Sequence, residues 1–247
     1  MHSLKSWFLN HLKFPAEISA GLFALNSLRN QQEFIQKKNL PPLNIPSLPD
    51  KKHVHSSDAA RQGYQEALAF IHDTKPTFSR DSVLTLHTML LRYLDRTGGH
   101  FKTRNNSLYN HQEDDNIVLI HTPVDARKVS MMMDELFSSF YEAIKVHDPL
   151  VVIALTLMDF ILIHPFWDGN GRTFRLLSVL LLYEANFDCA RDLNFDYILQ
   201  NSRGSGQAAL SAGMPGWYDG THNVVNWVTY FVGALSYAHA RHQLTTC

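Results

Sequence analysis

The chain has 247 residues, 45% hydrophobic and 18% charged, enough apolar material for a sizeable core and too much for disorder. Twenty-two basic residues against 23 acidic ones give a net charge of −1, which excludes the global positive field of a nucleic-acid-binding domain. Two cysteines, Cys189 and Cys247, exclude a disulfide scaffold or a four-thiolate zinc site and fit a reducing cytoplasm.

The first forty residues read as helical, with Ile18, Leu22, Leu25 and Leu28 at three- and four-residue spacing. The start, Met1 to Leu9, runs into Asn10, His11 and Lys13 and makes a poor signal peptide. Trp7, Phe8 and Leu9 read as the buried face of this arm. Pro41, Pro42, Pro46 and Pro49 then forbid a helix and mark an extended linker. The division is an arm with linker over 1–52 and a main domain over 53–247.

Helical periodicity covers 57–72 and 80–95, the second closing at Gly98-Gly99. Between Arg104 and His121, the β-branched run Ile117, Val118, Leu119 and Ile120 follows the polar turn His111–Asn116, a hairpin signal. Helices resume over Asp125–Lys145 and at Asp148-Pro149, an N-cap followed by proline in the first turn. The apolar run Leu150–Phe166 contains Thr156, Asp159 and His164, which favours a buried helix over a membrane span. A helix from Gly171 to Tyr183 carries leucines all round, and Asn223–Gln243 is a final amphipathic helix. Met131–Met133 reads as packing, and His239 and His242 share a helix face without further metal ligands. The fold class is mostly α with one β-hairpin.

Between two apolar helices lies His164-Pro-Phe-Trp-Asp168-Gly-Asn-Gly-Arg172-Thr-Phe-Arg175. Gly169, Asn170 and Gly171 lead directly into a helix, whose free N–H groups and dipole attract anions that glycine lets approach closely. Arg172 and Arg175, three apart, reach the same oxyanions. Asp168 is a hard oxygen donor suited to Mg²⁺, and His164 titrates near neutrality as a general base must. Base, metal ligand, anion cradle and cationic clamp are the parts of a phosphoryl- or nucleotidyl-transfer site.

This segment resembles the Fic family signature H-x-F-x-[D/E]-G-N-G-R-x-x-R at all eight defined positions: His164, Phe166, Asp168, Gly169, Asn170, Gly171, Arg172 and Arg175. The likeness extends over roughly residues 55–240 and implies a Fic-type helical bundle with a β-hairpin flap. It implies transfer of AMP from ATP to a Ser, Thr or Tyr hydroxyl of a target protein. His164 would be the base and Asp168 the Mg²⁺ ligand. The glycines, Asn170, Arg172 and Arg175 would hold phosphates and Phe166 would anchor the loop. Ile117–Ile120 would align the target by strand addition.

The family's Asn-Arg-x-x-Tyr-Tyr stretch corresponds to Asn201-Ser-Arg203-Gly-Ser-Gly206-Gln207, with Asn201 as a further nucleotide contact. Gly206 and Gln207 replace the aromatics, so the donor is left open between ATP, another nucleotide and phosphocholine chemistry, or a ring such as Tyr218 fills the space. No inhibitory [S/T]-x-x-x-E-[G/N] helix occurs, and an alignment of the arm puts Leu25 at its glutamate. That implies constant competence or an inhibitory partner in trans, as in a toxin or nucleotide-sensor module. The expectation is a cytoplasmic enzyme, with secretion as an effector and homodimerisation left open.

Overall fold

The computed structural model describes residues 3–4, 6–27, 29, 54–111 and 117–246. The proline linker, the turn 112–116, Leu28, Cys247 and the side chain of Trp7 lie outside that description.

The architecture is set by two consecutive buried helices, α6 (Pro149–Ile163) and α7 (Asn170–Glu184). Asp148 caps α6 by accepting the N–H groups of Leu150 and Val151 at 2.9 and 3.3 Å, and Pro149 needs no partner there. Apart from Ile161, every residue of α6 is buried, because α5 (Ala126–Ala143), α7 and α10 (Val225–Thr246) surround it. The helix ends at His164 because Pro165 follows, and a residue before proline avoids the right-handed helical region. His164 takes φ 52°, ψ 62°, while its N–H still reaches the Phe160 carbonyl at 3.1 Å.

Helices α3 (Val54–Thr74) and α4 (Arg80–Leu91) pack on α7 from the other side. The helix expected over 80–95 stops at Leu91, after which 92–97 form tight turns. The chain then doubles back on α4 so closely that a Cβ on Gly98 would meet the His87 carbonyl at 2.6 Å. Strands β1 (Leu108–His111) and β2 (Ile117–His121) pair antiparallel, Leu108 opposite His121, with a register shift after Leu108.

Residues 195–213, which carried no assignment from periodicity, form α8 (Phe195–Asn201) and α9 (Arg203–Gly213). Gly204 and Gly206 lower the intrinsic helicity of α9, and packing against α10 compensates. Among the described residues no helix is long and apolar enough to cross a membrane.

The N-terminal arm forms α1 (Ser6–Leu9) and α2 (Ala16–Asn26), with α2 lying on α10. Phe8, Leu9, Leu22 and Leu25 are buried as expected. The suggested equivalence of Leu25 with an inhibitory glutamate does not hold. Asn26 Nδ2 donates to the α6 cap Asp148 at 2.7 Å, and Arg29 Nε donates to the Ala185 carbonyl beyond the end of α7 at 2.9 Å. The end of α2 and Arg29 therefore lie at the opposite ends of α6 and α7 from the His164–Arg175 segment.

The arm is also tied down by a buried polar node. Ser3 Oγ and Trp217 Nε1 both donate to Asp159 Oδ1 at 2.6 Å, and Ser3 Oγ lies 2.8 Å from His222 Nε2. Asp159 is fully buried and its Oδ2 has no partner, so burial raises its pKa from 3.8 to about 6. The unfolded chain thus ionises this carboxyl earlier than the folded one, and stability is lost as pH rises from about 4 to about 6. Asp159→Asn removes this term, which is on the order of 3 kcal/mol. Urea unfolding across that window should show the wild type losing stability relative to the variant and the difference levelling off above pH 6.

Candidate active site

The segment between α6 and α7 must end one buried helix and begin another within six residues. Asn170 makes this possible. Its buried amide accepts the Phe166 N–H at 3.0 Å and donates to the Phe166 carbonyl at 2.8 Å, closing the loop on itself. Phe166 is fully buried and stacks on His87, ring centroids 3.7 Å apart and planes 11° apart. His87 accepts the Gly99 N–H at Nδ1, so its Nε2–H donates to the Asp168 carbonyl, both at 3.0 Å. Burial lowers the pKa of His87 to about 4, and the neutral ring bolts the loop to α4 and the Gly98-Gly99 turn. The Lys102 N–H, donating to the Pro165 carbonyl at 2.8 Å, fixes the other side.

Above this clamp, helix α7 opens on Gly169 at φ 80°, with no side chain capping its first N–H groups. A Cβ on Gly171 would meet nothing within 4 Å, so the backbone there is approachable. An uncapped N-terminus of a 15-residue helix, bare of side chain, is an anion site. His164, Asp168, Gly169, Gly171, Arg172 and Arg175 all line one cavity of about 600 Å³. Its far wall is built by Gly206, Gln207, Leu210, Met214, Trp227 and Tyr230, with Phe174 and Arg203 between, and Leu108 and His121 bring the strand pair to its rim.

Electrostatics divide the site sharply. Asp168 is the one carboxylate among the lining residues. Its Oδ2 pairs with Arg96 and, at 3.3 Å, with Arg172, while Oδ1 accepts the Gly169 N–H at 2.7 Å. The Arg172 guanidinium and the Gly169 N–H, with Arg96, hold this carboxyl below the usual range despite its burial. A single carboxylate beside an anion cradle suits Mg²⁺, which binds through one or two carboxylates plus substrate phosphates. Among the described residues no cluster of three or more His, Cys, Asp or Glu side chains could hold a metal alone.

Arg175 stands 5.2 Å above the Tyr64 ring, and Tyr64 Oη donates to the buried Asp196 at 3.1 Å. The Arg175 Nε is buried without a hydrogen-bond partner, and among the described residues no carboxylate forms an ion pair with it. It is a positioned cation with unspent donor capacity. His164 is half-buried, its Nδ1 buried without a partner. Burial lowers its pKa to about 4, helped by the nearby Lys102 and His121 and partly offset by the Ile161 carbonyl. Lys102 is itself buried, donates to Asn106 at 2.8 Å and is pushed down to about 8 by burial.

Residues 77–182 match the model of the Fic/DOC family. That matched stretch, which includes the His164–Arg175 segment, is similar to Fic/DOC proteins. Three solved structures share the fold over nearly the whole chain. A Fic family protein from Desulfovibrio desulfuricans aligns with TM-score 0.62 at 19% identity, over 98% of this chain and 67% of that one. A Fic domain-containing signaling protein from Bacteroides thetaiotaomicron gives 0.54 and 18%, over 98% and 94%. Fic-1 from C. elegans gives 0.63 and 18%, over 94% and 73%. At such identities the likeness speaks for the fold, and Fic proteins commonly transfer AMP or other groups onto proteins.

Three sequence expectations land elsewhere. Asn170, expected at the phosphates, spends its amide on the Phe166 backbone. Asn201 is exposed, donates back to the Tyr197 carbonyl at 2.8 Å and does not line the cavity. Tyr218 also falls outside: its hydroxyl donates to the Thr122 carbonyl at 2.7 Å, at the end of β2. Of Ile117–Ile120 only the strand backbone is described. Arg96, His87, Tyr64, Asp196 and Tyr230 carried no sequence signal, since they reach the site from other segments of the chain.

Asn170→Ala orphans two buried backbone groups of Phe166 and should lower stability by about 2–3 kcal/mol in urea unfolding. Arg96→Ala, removing a largely exposed partner, should change it by less than about 1 kcal/mol in the same assay.

Proposed function

We propose that this chain is a protein adenylyltransferase, transferring AMP from Mg-ATP to a Ser, Thr or Tyr hydroxyl of a target protein. The observation that carries the reading is the one cavity where His164, Asp168, the bare N-terminus of α7, Arg172 and Arg175 converge.

In this mechanism the triphosphate lies along the α7 N-terminus. The free backbone N–H groups of the first α7 turn receive its oxygens, and Arg172 and Arg175 neutralise the leaving pyrophosphate. Asp168 would hold Mg²⁺, which supplies charge neutralisation at the phosphates. The β2 strand at the rim would align a target segment by strand addition, Ile117–Ile120 forming the docking edge of a flap. The target hydroxyl attacks the α-phosphorus; its O–P bond forms as the bond to the β-phosphate oxygen breaks. The hydroxyl proton passes to His164. With Nδ1 buried, Nε2 is the ring nitrogen left to take it. Arg175, which forms no ion pair among the described residues, is ready for phosphate. Gly206 and Gln207 in the far wall favour a second reading, the same transfer from another nucleotide.

Incubation with Mg²⁺ and each nucleoside triphosphate, followed by intact-protein mass spectrometry, tests this through self-modification and with added candidate targets. The expected result is a gain of one AMP from ATP that is lost in His164→Ala. A gain with a different nucleotide selects the second reading, and an unchanged gain in the variant excludes His164 as the base. The low pKa of His164, about 4, keeps the ring unprotonated at neutral pH. Transfer rate should therefore stay level as pH falls from 7 to about 5; a decline centred near 6.5 would refute a buried neutral base.

A further inference from the structure

The nucleotide reading leaves open what receives the base, because the stretch that would carry aromatic rings holds Gly206 and Gln207. The far wall of the cavity supplies rings from a different helix. Trp227 and Tyr230, three apart on α10, face the cavity with centroids 5.6 Å apart. Trp227 is anchored: its Nε1 donates to the Ala154 carbonyl of α6 at 2.6 Å, and Phe174 packs at 6.0 Å.

Tyr230 is fixed as firmly. The Ser202 hydroxyl donates to the Ile198 carbonyl at 2.8 Å, so its one proton is spent. Tyr230 Oη, 2.8 Å from Ser202 Oγ, must then be the donor in that pair. Burial raises the phenol pKa, so the donor proton stays in place. The ring lies directly on Gly206: a Cβ there would stand 2.8 Å from Cζ and Oη and 3.0 Å from Cε1. An interior helical glycine costs about 1 kcal/mol relative to alanine, so a packing reason is expected, and the ring provides it. The absence of side chain at 206 and the presence of the ring at 230 are thus one feature: an aromatic wall supplied by α10.

We infer that Tyr230, seated on Gly206 and backed by Trp227, is the stacking surface for the base of the bound nucleoside triphosphate. The inference rests on the proposed function and adds the residue that decides whether a nucleoside is held more tightly than its bare phosphate chain. The phosphate chain and the base wall belong to one cavity, so a ligand held at the α7 N-terminus has the rings within the same enclosure. Stacking is tolerant of base identity, and Gln207 and Ser211 beside the wall offer polar groups to a base edge.

Calorimetric titration of the full chain in Mg²⁺ with α,β-methylene-ATP, which cannot transfer AMP, and with inorganic tripolyphosphate tests it. The wild type should bind the nucleotide more tightly than tripolyphosphate. Tyr230→Ala and Gly206→Ala should each weaken nucleotide binding about tenfold and leave tripolyphosphate unchanged, while Tyr230→Phe stays close to wild type. Unchanged tripolyphosphate affinity also certifies that the variants are folded. Equal losses for both ligands would make Tyr230 merely structural and overturn the inference, as would unaltered nucleotide binding in Tyr230→Ala. Tripolyphosphate binding without added affinity for the nucleotide sinks the base wall and spares the anion cradle. Failure of both to bind the wild type overturns the cradle and the proposed function with it.

Discussion

The amide of Asn170, closing on both backbone groups of Phe166, is the constraint on which the site depends. Two nearly all-buried helices meet here, and a loop between them has to satisfy its polar groups without water. Asn170 satisfies two at once, and Phe166 carries the loop into the core, where His87 lies flat against it. With the loop fixed from below, its upper side is free to show glycine backbone, a helix N-terminus and an imidazole in the left-handed conformation. Such a conformation costs energy and persists only where neighbours over-determine it.

Charge around the cavity is unbalanced by design of the fold. Arg172, Arg175 and Arg203 line it against the single carboxylate of Asp168. Two cations in the first turns of a helix oppose its dipole, an arrangement that an anionic ligand would relieve. Arg96 and Arg172 share Asp168, whereas Arg175 leans on an aromatic face and a buried carboxyl beyond Tyr64. The two motif arginines therefore stand in different electrostatic states although only two residues separate them. Burial, with Lys102 and His121 nearby opposing protonation, keeps the His164 imidazole neutral.

The arm adds a different kind of order. Ser3 reaches the buried Asp159 in the C-terminal half of α6, beside Trp217 and His222, and α2 lies along α10. Its contacts near Asp148 and Ala185 fasten the end of the bundle remote from the motif.

Much of this was legible in the sequence. The Asp148-Pro149 cap, the apolar run to Ile163, the proline after His164 and the glycines before α7 locate both central helices and the loop, because each is a local effect within a few residues. The eight motif positions suggest the proposed chemistry for the same reason. Periodicity was silent over 195–213, where Gly204 and Gly206 hide α9, and it carried α4 four residues too far. What only the tertiary structure decided is which partners each side chain meets. Asn170 and Asn201 look like ligand contacts as residue types, yet one turns to its own loop and the other to Tyr197. Arg96, His87, Tyr64 and Tyr230 lie on four other segments, and no spacing along the chain encodes their approach. Local sequence fixed where the helices end; packing of α3, α4, α9 and α10 around them fixed what the site is made of, since contact between distant segments depends on the burial of whole faces rather than on any single residue.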